Sequence, residues 1–384
     1  MSPPIRPPDG RSIVVICGDP GGAAAVAPVI GALRAGGGAE VTVLTYRQAT
    51  AVLGRSGIET EEIDAETDVR AAEAILAERH ASLLVTATSV NGIDLEKAFI
   101  AAARESGVPS LAVLDYWSNY RQRFADNDGC LAYQPDRIAV MDARARDEMT
   151  SLGFDSARLA VTGQPAFDAL AEFRRAWDPR RSDAVRSALG VDAGAKLVLF
   201  ASQPIAAFYG GPDSASFIGY TEHTVIALLV PALERIAREA GIPISLVIRP
   251  HPRENVADLQ LYTSDGIQVV VDDRQESRAA TMSADLVTGM NSVLLVEAAY
   301  LGKTVLSLQP GLRIADTVPT NATGLSRIVS RAEDIQGEVA GALTASGSTN
   351  EACQRSTRAL PDQHATRRVT DLAYSMIAAQ EQDR

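Results

Sequence analysis

Apolar runs alternate with amphipathic stretches along the chain. Ser12-Ile-Val-Val-Ile-Cys17 is continuously apolar and ends in Gly18-Asp-Pro-Gly-Gly22, which predicts a buried strand running into a tight turn. A helix is expected over 23–35, stopped by Gly36-Gly-Gly38. Strands at 41–45, 58–63, 82–86, 110–114 and 137–140 follow, with helices at 48–56, 69–79, 95–106 and 143–152 between them. The pattern then restarts: a strand at 159–162 enters Gly163-Gln-Pro-Ala-Phe-Asp168, and a charged stretch at 172–183 separates the halves. A second series has strands at 197–200, 245–248, 267–271, 285–288 and 304–307 and helices at 222–240, 274–283 and 291–301. Small polar residues over 344–357 predict a loop, and 365–380 a last helix. Continuous apolar strands alternating with helices imply parallel sheets covered on both faces. The expected fold is α/β, with two Rossmann-like doubly wound domains at 1–165 and 175–345 facing across a cleft.

The 384 residues are enough for two domains, each with its own core. A hydrophobic content of 46% excludes an intrinsically disordered chain. The net charge of −12 argues against nucleic acid and anionic membranes as partners. No apolar stretch of about 18 residues is present, and the proline-rich N-terminus lacks a signal-peptide core. Cys17, Cys130 and Cys353 are too widely spaced for a disulfide framework or a zinc pattern. A reduced, cytoplasmic protein is therefore expected, with a homodimer among the options.

Ligands of parallel sheets sit beyond the carboxyl ends of the strands. That rule selects Asp19, the segment 86–94, Asp115, Gln203, the segment 249–251 and the segment 288–292, and sets aside His80, which precedes a strand. After the strand at 285–288 come Gly289 and then Asn291 and Ser292, either of which is a good helix N-cap. Freed N–H groups and the helix dipole make such an end an anion site. Glu297, about one and a half turns further on, could accept from a ribose diol; otherwise it is an exposed glutamate on an ordinary capped helix. In Arg249-Pro-His-Pro252 the prolines present His251 rigidly, and both Arg249 and His251 suit phosphate oxygens. The turn at 18–22 is neither the dinucleotide fingerprint nor a Walker A loop. Its Asp19, expected to be exposed, with Gly21 and Gly22, suits acceptor binding or general-base work. In Asp115-Tyr-Trp-Ser-Asn-Tyr-Arg-Gln-Arg-Phe124 the rings suit sugar stacking, so Trp117 and Asn119 are acceptor candidates, although one of Trp117 and Phe124 should be core. Asp115, at the strand end, is the second candidate base.

The set Val161-Thr-Gly-Gln-Pro-Ala-Phe-Asp168, Arg249-Pro-His-Pro252 and Asp285…Asn291-Ser292…Glu297-Ala-Ala…Gly302-Lys-Thr-Val305 resembles the GT-B superfamily. Its members include nucleotide-sugar glycosyltransferases, non-hydrolysing UDP-N-acetylglucosamine 2-epimerases and CDP-glycerol glycerophosphotransferases. The resemblance implies that the Asn291-Ser292 helix start holds the donor diphosphate and Glu297 the donor ribose. It implies that 163–168 is the crossover and that the last helix returns to the first domain. The epimerases carry a Gly-Thr-Arg-Pro-Glu-like first turn and a Ser-Gly-Gly helix start, which this sequence lacks.

The expected activity is glycosyl transfer from a nucleotide-diphosphate sugar, UDP-linked in the first instance. The alternatives are a 2-epimerase, a CDP-alcohol phosphotransferase and a non-enzymatic sensor. Asp19 or Asp115 would deprotonate the acceptor. His251 and Arg249 would stabilise the leaving diphosphate, with Gln203 and Gly289 completing the nucleotide site. No cofactor is expected beyond the nucleotide sugar as substrate, and no metal, since Asp126-Asn-Asp128 has the spacing of an Asp-x-Asp motif but follows no strand.

Overall fold

In the computed structural model, which describes residues 10–90, 92–192, 194–344 and 361–382, the apolar runs become the strands of two sheets. Every strand pairing is parallel. The first sheet contains β1 (Arg11–Cys17), β2 (Ala39–Thr45), β3 (Glu61–Glu62), β4 (Ala81–Thr86), β5 (Ser110–Val113), β6 (Arg137–Val140) and β7 (Leu159–Val161), in the order β3-β2-β1-β4-β5-β6-β7. The second contains β8 (Lys196–Ala201), β9 (Ile244–Arg249), β10 (Gln268–Val271), β11 (Leu286–Gly289), β12 (Val305–Leu308) and β13 (Arg327–Val329), in the order β10-β9-β8-β11-β12-β13. In each sheet the strand order reverses once, between β1 and β4 and between β8 and β11. These reversals are the topological switch points at which doubly wound sheets open a crevice.

Both faces of each sheet are buried because successive side chains of a strand point to opposite sides. In β1, Ile13, Val15 and Cys17 join one cluster with α1 (Pro20–Gly36) and the C-terminal helix Ala365–Gln382. Val14 and Ile16 join the opposite cluster with α3 (Val69–Glu78) and α4 (Leu95–Glu105). In β8, Val198 and Phe200 pack with α10 (Glu222–Ala240) and α15 (Ile335–Thr344). Leu197, Leu199 and Ala201 pack with α12 (Ser277–Ser283) and α13 (Val293–Tyr300).

The chain divides into one unit of residues 1–169 plus 361–384 and another of residues 170–360. The C-terminal helix is tied into the first unit by specific bonds. The Asp168 carboxylate accepts the N–H groups of Ala365 (3.1 Å) and Thr366 (2.7 Å), capping a helix that begins 197 residues later. Arg368 Nε donates to Thr162 O at 2.6 Å. Gly163 has φ +90°, and an added Cβ would lie 2.8 Å from that of Ala365, so only glycine fits this approach.

Several elements differ from expectation. Helix α1 begins at Pro20 rather than 23, because proline fits the first helical turn, where no N–H is needed. The charged stretch at 172–183 is largely helical, carrying most of α7 (Leu170–Ala176) and the start of α8 (Arg181–Ala188). Strand β13 was not anticipated; three residues carry too little periodicity to show. The expected loop at 344–357 lies outside the described residues after Thr344, as do Cys353 and the proline-rich start. No helix among the described residues is long and apolar enough to cross a membrane.

Candidate functional site

At the β1/β4 crossing of the first unit, three glycines of the first turn let other parts of the chain close in. A Cβ on Gly18 would meet Tyr46 Cζ at 2.0 Å, one on Gly21 would meet Asp115 Oδ2 at 2.5 Å, and one on Gly22 would meet Ala87 Cβ at 2.8 Å. Gly21 and Gly22, expected as acceptor contacts, thus make room for the protein's own Asp115 and for the turn after β4.

Asp19 is 5% exposed, not presented to solvent as expected. As the N-cap residue of α1 it makes no side-chain bond to its own helix; its Oδ2 accepts the Val90 N–H at 3.3 Å. Asp115 Oδ1 accepts from Arg123 Nη1 (2.5 Å) and Thr88 Oγ1 (3.0 Å), and Arg123 Nη1 also reaches Thr88 Oγ1 at 2.7 Å. Asp115 is therefore the partner of a buried arginine. Both Trp117 and Phe124 are core, where only one was expected to be. Trp117 Nε1 donates to Asp142 Oδ2 at 2.8 Å and its ring stacks on Phe167, which withdraws it from acceptor stacking. Asn119 is half-buried, with a left-handed backbone (φ 56°), at the head of α5 (Tyr120–Phe124). Asp126 Oδ1 accepts the N–H groups of Asp128 and Cys130, so the Asp-x-Asp spacing builds a turn.

The same crossing holds a carboxylate not anticipated from the sequence. Glu96, in the first turn of α4, is 4% exposed. Its Oε2 accepts from Tyr46 Oη (2.5 Å) and Ser89 Oγ (2.8 Å). Burial pushes its carboxyl up to about 7, against the pull of those hydrogen bonds and with help from the nearby negative charge of Asp19. In the sequence Glu96 reads as an ordinary helix residue, Leu-Glu-Lys; only its place on the inner face of α4 sets it apart.

At the β8/β11 crossing of the second unit, the two strand-end loops meet: Gln203 Oε1 accepts the Asn291 N–H at 3.1 Å. Ser292 is the N-cap of α13, its Oγ accepting the Leu294 N–H at 3.2 Å. Both Asn291 and Ser292 are 9% exposed. The sheet requires glycine at 289, since an added Cβ would lie 2.6 Å from Ala201 O on β8. Glu297 is not an exposed helix residue. Its carboxylate pairs with Arg278 of α12, with Nη2 to Oε1 at 3.1 Å and Nε to Oε2 at 3.4 Å. Arg249, expected at phosphate, is tied to Asp272 (3.1 Å) and Ser277 (3.0 Å).

His251, beyond β9, has Nδ1 accepting the Arg253 N–H at 3.1 Å, which places the proton of the neutral ring on Nε2. The loop is held by Glu254, whose carboxylate accepts the His251 N–H (2.6 Å) and Ser202 Oγ (2.7 Å). Burial pushes the Glu254 carboxyl above its ordinary range. The exposed Phe208 meets the His251 ring edge-on at 6.5 Å. Glu254 lies two residues beyond Arg249-Pro-His-Pro252, and its bond from Ser202 requires the loop after β8. Gln203, His251, Asn291 and Ser292 thus all follow the adjacent strands β9, β8 and β11.

Solved structures resemble the chain over nearly its whole length. MnaA from S. aureus, in a co-structure with UDP, has a TM-score of 0.68 at 16% identity, covering 94% of each chain. The UDP-GlcNAc 2-epimerase from Neisseria meningitidis bound to UDP-GlcNAc has a TM-score of 0.65 at 14% identity, covering 97% of this chain and all of that one. A glycosyltransferase from Rickettsia africae has a TM-score of 0.63 at 12% identity, covering 96% of this chain and 98% of that one. No family model matches the sequence, and no curated protein matches it. At these identities the likeness is one of fold: the chain has the GT-B fold, with two Rossmann-like parallel-sheet domains.

Proposed function

We propose that the chain is an enzyme acting on a nucleotide-diphosphate sugar, and within that class a glycosyltransferase that moves the sugar to an acceptor hydroxyl. The observation that carries this reading is the meeting of the β8 and β11 loops, where Gln203 is bonded to Asn291 above the Ser292-capped helix α13. The N-terminal end of that helix favours a diphosphate through its dipole and its backbone donors. Nε2–H of His251 supplies a further donor as the leaving diphosphate gains charge in the transition state. Each Glu297 oxygen accepts one bond from Arg278, which leaves acceptor capacity for a ribose diol and orients it. The acceptor proton goes to a carboxylate at the β1/β4 crossing. A uridine nucleotide is favoured because two similar structures hold UDP or UDP-GlcNAc.

A second reading, epimerisation at C2 of the sugar, is supported by the Neisseria epimerase, whose likeness exceeds that of the glycosyltransferase. One experiment separates the two. The protein is incubated with UDP-, GDP-, CDP- and TDP-sugars, with and without candidate acceptors; thermal shift and free nucleotide are measured, and the sugar is read by NMR. Nucleotide release that rises with acceptor supports transfer. Inversion at C2 without net nucleotide release supports epimerisation. The absence of any nucleotide-dependent shift at millimolar concentration overturns both.

A further inference from the structure

Tyr46, Ser89 and Glu96 form a closed polar triangle at the β1/β4 crossing. The phenol and the hydroxyl both donate to Glu96 Oε2, and Tyr46 Oη and Ser89 Oγ are 3.2 Å apart. Tyr46 and Glu96 are buried, while Ser89 is half-buried and is the outer member of the triangle. The groups facing Glu96 are Tyr46, Ser89, the Asp19 carboxylate and the Cys17 thiol, on which Glu96 acts in turn. A glutamine at this position would accept the same two hydrogen bonds without the cost of burying a charge. A structural role alone therefore does not account for a carboxylate here, whereas a group that must gain and lose a proton does.

We propose that Glu96 is the proton-exchanging carboxylate of this crossing, that Ser89 relays the proton between it and the acceptor, and that Tyr46 and Asp19 position it. This rests on the reading of the chain as a nucleotide-sugar transferase. In the step, the acceptor O–H bond breaks and its proton passes to Ser89 Oγ, as the Ser89 proton passes to Glu96 Oε2. The acceptor oxygen bonds to the anomeric carbon. The bond from that carbon to the diphosphate breaks with its electron pair left on the diphosphate. Glu96 then returns its proton to water. Burial holds the carboxyl near 7, where a general base is most effective at neutral pH.

The test is the pH profile of turnover on the full chain, together with a readout that needs no substrate. Wild type should lose activity on the acid side near pH 7. Glu96→Gln should lower kcat by about 10²–10⁴-fold and abolish that acid limb, with nucleotide affinity within about twofold. Asp19→Asn should keep the limb and move it to lower pH, because a neighbouring negative charge has gone. Ser89→Ala should lower kcat comparably while Glu96 still titrates, which guards against a misfolded Glu96 variant. In parallel, ¹³C-carboxyl NMR of glutamate-labelled protein, with the Glu96 resonance identified by its loss in Glu96→Gln, should give a midpoint near 7. A midpoint near 4.5, or wild-type turnover with an unchanged acid limb in Glu96→Gln, overturns the proposal. If no nucleotide sugar is turned over, the functional reading fails, while the NMR midpoint still decides whether Glu96 holds its proton at neutral pH.

Discussion

At the scale of single residues, the structure separates carboxylates that look alike in the chain. Asp19, Asp115, Glu96 and Glu297 differ in what surrounds them. Asp115 is paired with Arg123 and Glu297 with Arg278, whereas Glu96 has only neutral donors on Oε2. Stability against pH should follow. The Glu96 carboxyl is raised from 4.5 to about 7, so it holds its proton more tightly folded than unfolded. Its contribution is complete below the unfolded value and is lost as pH rises through 7, a loss of about 3 kcal/mol. The melting temperature of Glu96→Gln relative to wild type should therefore climb between pH 5 and 7 and level off above; a difference that is flat with pH would refute it. Glu297→Ala should cost roughly 1–3 kcal/mol in stability because it removes the carboxylate bonded to the mostly buried Arg278 guanidinium. From the sequence, as an exposed residue, it would have left the fold untouched. Chemical denaturation measures that loss, and Glu297→Gln, which keeps an acceptor for Arg278, should recover most of it.

At the scale of elements, the C-terminal helix depends on a carboxylate from the far side of the second unit in sequence. Asp168 accepts the first two N–H groups of that helix. Asp168→Ala should lower stability by about 1 kcal/mol, as cap removals do, and raise amide exchange in the first turn after Ala365. Unchanged exchange there would mean that the cap is idle in solution. The helix at Ser292 differs in kind. Its cap is local, two residues from the N–H it accepts, and was therefore legible in the sequence as either Asn291 or Ser292. The structure assigns the cap to Ser292 and gives Asn291 to Gln203, a contact spanning 88 residues.

At the scale of the whole molecule, the first unit is completed by residues that follow the entire second unit. Val369, Ala373, Tyr374 and Ile377 are buried against α1 and the first sheet. At about 1.5–3 kcal/mol for a fully buried large apolar side chain, deleting residues 361–384 should remove roughly 5 kcal/mol or more. That is comparable with the total stability of a domain. The first unit of the shortened chain should become protease-sensitive while 194–344 resists. Equal resistance of both units would show that the helix is dispensable.

The sequence by itself determined the alternation of strands and helices, the two parallel sheets and the strand-end positions of Gln203, His251, Asn291 and Ser292. These follow from local hydrophobic periodicity, and a strand-end position needs only the boundary of one element. The tertiary structure alone decided what each polar group faces. It turned Trp117 into the core beside Asp142, paired Asp115 with Arg123, gave the glycines of the first turn to Tyr46, Asp115 and Ala87, and buried Glu96 beside a tyrosine 50 residues away. Ionisation and hydrogen bonding depend on neighbours brought together across the sheet, and no spacing along the chain encodes them.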